Sequence, residues 1–327
     1  METLSSLILR FRPLYRSVIW GGDAIATLKG VDTGMTSVGE SWELSALPGS
    51  DTVVADGPLS GLALGDLSRR YGAALLGHRV FRQYKGRFPL LVKIIDAQRD
   101  LSLQVHPDDT MARSLGMPCG KTEMWYILDT RPGARIYDGL TRPLTPEAYD
   151  RLVADGTIMD AVASYASAPG DIFFIPAGTM HAIGAGNLLL EIQQSSDVTY
   201  RVYDYGRRDA DGNLRTLHIA EARAALNYTD TASHRLTPAD DSSGTLVACP
   251  YFTVSRHRID GTFRLDGDPD SFTILFCADG TCTVTAEAAP DASATPLTMR
   301  RGDTLLIPAA VASVRLAGDA TVITARC

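Results

Sequence analysis

Apolar and polar residues alternate over much of the chain, a period of two that marks strands rather than helices. In Leu101-Ser102-Leu103-Gln104-Val105-His106 the leucines and the valine fall on one face, and Ser102, Gln104 and His106 on the other. Pro107 ends the pairing, having no N–H to give to a neighbour. Lys121 to Leu128 repeats the pattern, with Lys121, Glu123 and Trp125 sharing a face. Gly170 to Pro176 is an apolar strand that runs into a Pro/Gly turn and delivers His181 just past it. Further strands are predicted at 17–22, 39–45, 87–96, 188–194 and 199–205, and a hairpin joins 124–130 to 134–140 around Arg131-Pro132-Gly133.

Helical spacing is rarer. It predicts one helix over 64–78 with Gly77 as its stop, one over 108–116, a pair within 145–167 (146–154 and 157–166), and one over 217–227 that His218 would cap or pack. Thr145-Pro146-Glu147 supplies an N-cap, a first-turn proline and an early acid. Thr229 to Gly244, rich in Thr, Ser, Asp and Pro, reads as a linker. Beyond it strands resume with an internal repeat: Gly302-Asp303-Thr304-Leu305-Leu306-Ile307-Pro308-Ala309 echoes Gly170-Asp171-Ile172-Phe173-Phe174-Ile175-Pro176-Ala177. In that register Ser313 stands where the first copy has His181, and no His, Glu or Asp lies between Thr304 and Ala317. The pattern therefore predicts a mainly β chain with helical insertions. An equipped barrel occupies 1–240 and a structural one 245–327.

Length agrees, since 327 residues suggest about two domains. Apolar residues at 45% and charged residues at 21% are those of a soluble globular protein. A formal charge of −7 excludes a nucleic-acid footprint, which needs a basic face. Arg10, Arg12 and Arg16 interrupt the N-terminal apolar stretch, so neither a signal nor a membrane span is expected, and the cytoplasm is the expected compartment. Five cysteines without a CxxC give no disulfide framework; Cys277 and Cys282, flanking a turn, are read as core thiols.

The polar faces carry the chemistry. Gln104, His106, Glu123 and His181 offer one amide oxygen, two imidazoles and a carboxylate, a set suited to Zn²⁺, Fe²⁺ or Mn²⁺. Glu191 sits on an otherwise apolar strand, where an unpaired carboxylate is costly, and Arg201 on the next strand is its expected partner. Lys121, Arg207 and Arg208 add positive field for an anionic substrate. Glu43 reads equally as a solvated edge and as a residue near the site.

The spacing G-x5-P-x-G-x2-H at Gly170–His181 resembles the second motif of the cupin β-barrels. Gln104-x-His106 stands where the first cupin motif has two histidines, with its glutamate delayed to Glu123. Asn187, separated from His181 by five residues, departs from the generic cupin offset. Leu103 to Asp108, Gly120 to Met124 and Pro176 to Ala182 together resemble the type I phosphomannose isomerases in their short bacterial form, and the likeness runs from Trp20 to about Leu226. That resemblance implies two cupin-type jelly rolls and the interconversion of mannose 6-phosphate and fructose 6-phosphate through a cis-enediol, with one zinc per chain. It implies Gln104, His106, Glu123 and His181 as metal ligands, Arg201 as the catalytic arginine, and Ser102, Lys121, Glu191, Asp197 and Arg207 around the substrate. A monomer, or at most a weak homo-oligomer, is expected. Two alternatives stand beside it. An Fe²⁺-dependent cupin dioxygenase would usually show more histidines, and a sugar-phosphate-binding cupin without activity need not retain Arg201.

Overall fold

Strand alternation organises the chain into three large antiparallel sheets in the computed structural model, which describes residues 4–208, 211–236, 243–287 and 295–327. A five-stranded sheet runs Val162–Ala166, Arg135–Leu140, His181–Ile183, Leu103–Val105, Tyr200–Tyr203. A seven-stranded sheet runs Arg235–Leu236, Ile172–Ile175, Glu123–Thr130, Asn187–Gln194, Leu90–Ala97, Val38–Leu44, Leu14–Gly22. These two face each other across an apolar layer that includes Trp125, Phe173, Ile175 and Leu189 from one sheet and Ile136 and Ile183 from the other. The architecture is a pair of jelly rolls built of open sheets rather than closed barrels.

The outer faces are covered differently. Leu103, Val105, Met180 and Val202 turn outward from the five-stranded sheet onto the insertion carrying Tyr149 and Ile158 and onto Ala222 of the helix Ile219–Ala225. Leu90, Val92, Ile94, Met124 and Leu190 turn outward from the seven-stranded sheet into a layer shared with Leu64, Leu75 and Val80, and with Phe252, Phe272 and Phe276 of the C-terminal unit. The strand Leu90–Ala97 is consequently buried on both faces and reads as a near-continuous apolar run. The third sheet, built on the long strands Thr253–Asp266, Thr273–Ala286 and Ser313–Arg326, also takes in Leu9–Arg12 from near the N-terminus, which pairs with Thr304–Ile307. The two units thus share a core, and the N-terminal segment lends a strand to the third sheet. No described helix is long and apolar enough to cross a membrane.

Several local expectations are corrected. The helix expected over 64–78 is two helices, Leu64–Tyr71 and Ala73–Leu76, because Gly72 adopts φ +49°. A third, His78–Tyr84, follows Gly77, where a Cβ would lie 2.2 Å from the Asp270 backbone, so only glycine lets the two units approach. Residues 124–130 and 134–140 reverse direction as expected yet do not pair; each joins a different sheet. The helix expected over 157–166 is a short 3₁₀ turn, Ile158–Ala161, and then the strand Val162–Ala166, which pairs with Arg135–Leu140. The segment expected as a linker is docked over 229–236, while its residues 237–242 lie outside the described part. Glu43 is neither solvated nor at the site. It is buried against Lys29 at 2.9 Å and Thr304 at 3.1 Å, tying the N-terminal region to the third sheet. Cys277 and Cys282 are buried free thiols, and Ser313 is held by Glu287 and Arg264.

Candidate metal centre

Register brings the polar positions together. In the five-stranded sheet Asp138, His181, Gln104 and Arg201 form one cross-strand row. In the facing sheet Trp42, Lys93, Glu191, Trp125 and Phe173 form another. Side chains in one row point to the same face, so both rows address the space between the sheets.

His106, Glu123 and His181 converge there, fully buried, with their ligand atoms within 4.8 Å of one another. Glu123 Oε2 lies 3.4 Å from His106 Nε2, and Oε1 lies 3.3 Å from His181 Nε2. The His181 Nδ1–H donates to the Thr179 carbonyl at 2.9 Å, which leaves Nε2 bare. The Gln104 amide sits 3.3 Å from that nitrogen, and a rotation of its end group presents the oxygen. Both ring nitrogens of His106 and both oxygens of Glu123 are buried with no hydrogen-bond partner. Such groups are costly unless something binds them, and a divalent cation fits this donor set.

Electrostatics prepares the ligands. Burial, reinforced by Lys121, pushes His106 down to about 3, and burial also lowers His181; both imidazoles are neutral, the form that binds metal. Burial alone would raise Glu123, but Lys121 at 3.4 Å holds it well below the usual carboxylate range.

Beside the cluster lies a cavity of about 260 Å³ lined by Ser102, Gln104, Lys121, Glu191, Asp197 and Arg201, all marked in the sequence. It is also lined by Trp20, Glu40, Trp42, Lys93 and Arg215, which the sequence did not single out. Glu191 does not pair with Arg201: its oxygens meet Lys93 at 3.3 Å and the Trp125 indole N–H at 2.9 Å. Burial outweighs Lys93 and raises its proton affinity. Arg201 is half-buried, donates to the Thr216 carbonyl at 2.8 Å, and keeps Nε unpartnered. His218 does not cap the following helix with its side chain; its Nδ1 accepts the Arg201 backbone N–H at 3.3 Å. Arg207 is absent from the cavity wall, tied instead to Asp204 and the Asp100 carbonyl.

The chain has counterparts among known proteins. Residues 8–130 match the family model for the catalytic domain of phosphomannose isomerase type I, and residues 242–326 that for the mannose-6-phosphate isomerase cupin domain. Mannose-6-phosphate isomerase ManA of Bacillus subtilis is 34% identical over 95% of this chain and 96% of its own. The chain belongs to the type I phosphomannose isomerases. A mannose-6-phosphate isomerase of Streptococcus mutans is 35% identical over 93% of each chain. The crystal structure of the Bacillus subtilis mannose 6-phosphate isomerase superposes with a TM-score of 0.84 at 31% identity, over 97% of this chain and 99% of that one. The type I phosphomannose isomerase plan thus holds across both units of the chain, and the chain is an enzyme of that class.

Proposed function

We propose that the chain is a zinc-dependent aldose–ketose isomerase interconverting mannose 6-phosphate and fructose 6-phosphate through a cis-enediol. The observation that carries this reading is a buried His/Glu/His donor set, with Gln104 against it, opening on a cavity walled by Lys93, Lys121, Arg201 and Arg215. One zinc per chain would be held by Gln104, His106, Glu123 and His181, and when bound it supplies Lewis-acid polarisation of substrate oxygens. One chain provides every one of these groups, so a monomer suffices. Its free thiols suit the cytoplasm.

The reaction moves the C2 proton of the aldose to C1 and the C2 hydroxyl proton to the C1 oxygen, with no net oxidation. Negative charge gathers on the two oxygens midway. Arg201, whose Nε has no other partner, is the guanidinium assigned to that charge. Glu191, Asp197 and Ser102 supply polar contacts to the sugar, and Lys121 keeps Glu123 anionic beside it.

Arg215, on the cavity wall where Arg207 is absent, is assigned to the substrate phosphate. It is held by Asp204 at 3.2 Å, and after burial its charge, with a smaller part from Arg207, lowers the proton affinity of Arg201. Two guanidiniums that repel across a cavity wall are relieved by an anion between them, and a phosphate fits. Arg215→Met is therefore expected to raise KM for mannose 6-phosphate by ~10–100-fold, the value of a hydrogen bond to a charged group, with kcat little changed. Steady-state kinetics checks this; a fall in kcat at constant KM would place Arg215 in the chemistry instead.

A coupled assay for fructose 6-phosphate formed from mannose 6-phosphate tests the whole reading, with turnover expected. Saturable binding without turnover would favour a sugar-phosphate binder, and iron-dependent oxygen uptake a dioxygenase.

A further inference from the structure

We propose that residues 227–236 form a strap that positions the metal ligand His181, with Asp230 and His234 as positioning residues. The inference rests on the metal-site part of the reading above and on none of its substrate chemistry. The polar composition of the segment suggests a linker, but its side chains reach the ligand's supports from two sides.

On the first side, the Thr179 carbonyl that fixes the His181 ring belongs to a residue whose hydroxyl donates to Asp230 Oδ2 at 2.6 Å. Asp230 Oδ1 lies 3.3 Å from His234 Nε2. On the second side, His234 Nδ1 lies 2.8 Å from Asp138 Oδ1, and the His234 backbone N–H donates to Asp138 Oδ2 at 2.9 Å. Asp138 is fully buried and stands directly cross-strand from His181. The contacts thus leave His181 through Thr179, pass along the strap, and return to its other flank through Asp138. The Asp138 hydrogen bond raises the proton affinity of His234, and the other ring nitrogen faces the Asp230 carboxylate.

The backbone reinforces the loop. The Asn227 N–H donates to the Gly178 carbonyl at 2.9 Å, and the Leu140 N–H to the Asp230 carbonyl at 2.8 Å. Gly178 adopts φ +90°, with the Ala225 carbonyl 3.2 Å from where a Cβ would sit. The turn that delivers His181 is thereby pressed between its own strand and the strap. A ring free to swing would leave Nε2 off the common point that Glu123 and His106 address, and partners behind a ligand commonly change metal affinity for that reason. Farther along the same strap, Arg235 grips Asp171 at 2.7 and 2.8 Å without touching the turn. It provides an internal control.

The test is equilibrium Zn²⁺ binding by the full-length protein in competition with a chromophoric chelator, together with the visible spectrum of the Co²⁺ form. Asp230→Leu and His234→Ala are expected to weaken Zn²⁺ binding by ~10–100-fold and to change the Co²⁺ spectrum. Asp230→Asn, which keeps an acceptor for the Thr179 hydroxyl, should recover most of the affinity. Arg235→Met should lower Tm while leaving affinity and spectrum near wild type. If Asp230→Leu does not fold, Thr179→Val, which removes only the hydroxyl, carries the same expectation. Unchanged affinity and spectrum in the Asp230 and His234 variants would overturn the proposal. So would an equal loss in Arg235→Met, which would make the strap a general fold tether. Because metal is read directly, absence of isomerase turnover would leave this result standing.

Discussion

His181→Ala is expected to strip the protein of its metal at ordinary concentrations and to lower kcat by ~10³ or more, since Lewis-acid stabilisation amounts to several kcal/mol. His181 is fully buried and its Nε2 carries no proton, so its loss leaves a neutral amide, one imidazole and one carboxylate to hold the ion. The fold should survive, because Trp125, Phe173 and Ile183 keep the apolar layer around the gap. Metal analysis of purified protein, read beside its circular dichroism, checks both halves. Full metal retention at unchanged activity would remove His181 from the site.

Arg201→Ala is expected to lower kcat by ~10²–10³, the usual loss when a preorganised donor to developing charge is removed. KM should move little, because a contact made only in the transition state does not tighten the ground state. Metal content should stay at wild type, since a guanidinium has no lone pair to give. Stability should change modestly: the cation beside Glu191 is Lys93, so no buried carboxylate is orphaned. Arg201→Lys should recover only part of the rate, because a compact ammonium cannot reproduce a planar fork. Kinetics on metal-quantified protein decides. A large rise in KM at constant kcat would move Arg201 to phosphate binding.

The convergence of His106, Glu123 and His181 was legible in sequence because its signals are local. Period-two alternation put Gln104 and His106 on one face, and the Pro176–Gly178 turn fixed where His181 emerges. Glu191 was also legible as a buried charge, but its partner was not. Cross-strand register chooses that partner, and the register set Lys93 opposite Glu191 while Arg201 fell opposite Gln104. A signal for Lys93 did exist: a lone lysine inside the run Leu90–Ala97, buried on both faces, must meet an anion. Arg215 gave no such sign, because nothing local separates it from Arg207 among loop arginines.

The misread elements fail for a related reason. Arg131-Pro132-Gly133 does reverse the chain, yet the choice of partner for Arg135–Leu140 is made by His181–Ile183 and Val162–Ala166, distant in sequence. Residues 229–236 look solvated by composition because their Asp and His side chains are polar. In the fold Asp230 meets Thr179, His234 meets Asp138, and the neighbouring Arg235 meets Asp171. Composition reports polarity and is silent about what a polar group faces.

As proposed above, this cavity performs an aldose–ketose isomerisation dependent on one ion held by Gln104, His106, Glu123 and His181. Its most direct test is stepwise Zn²⁺ addition to chelator-stripped protein, with turnover of mannose 6-phosphate measured against bound metal. Activity is expected to rise linearly and to plateau at one equivalent per chain. Full activity in the stripped protein, or a plateau that arrives only at two equivalents, would contradict it.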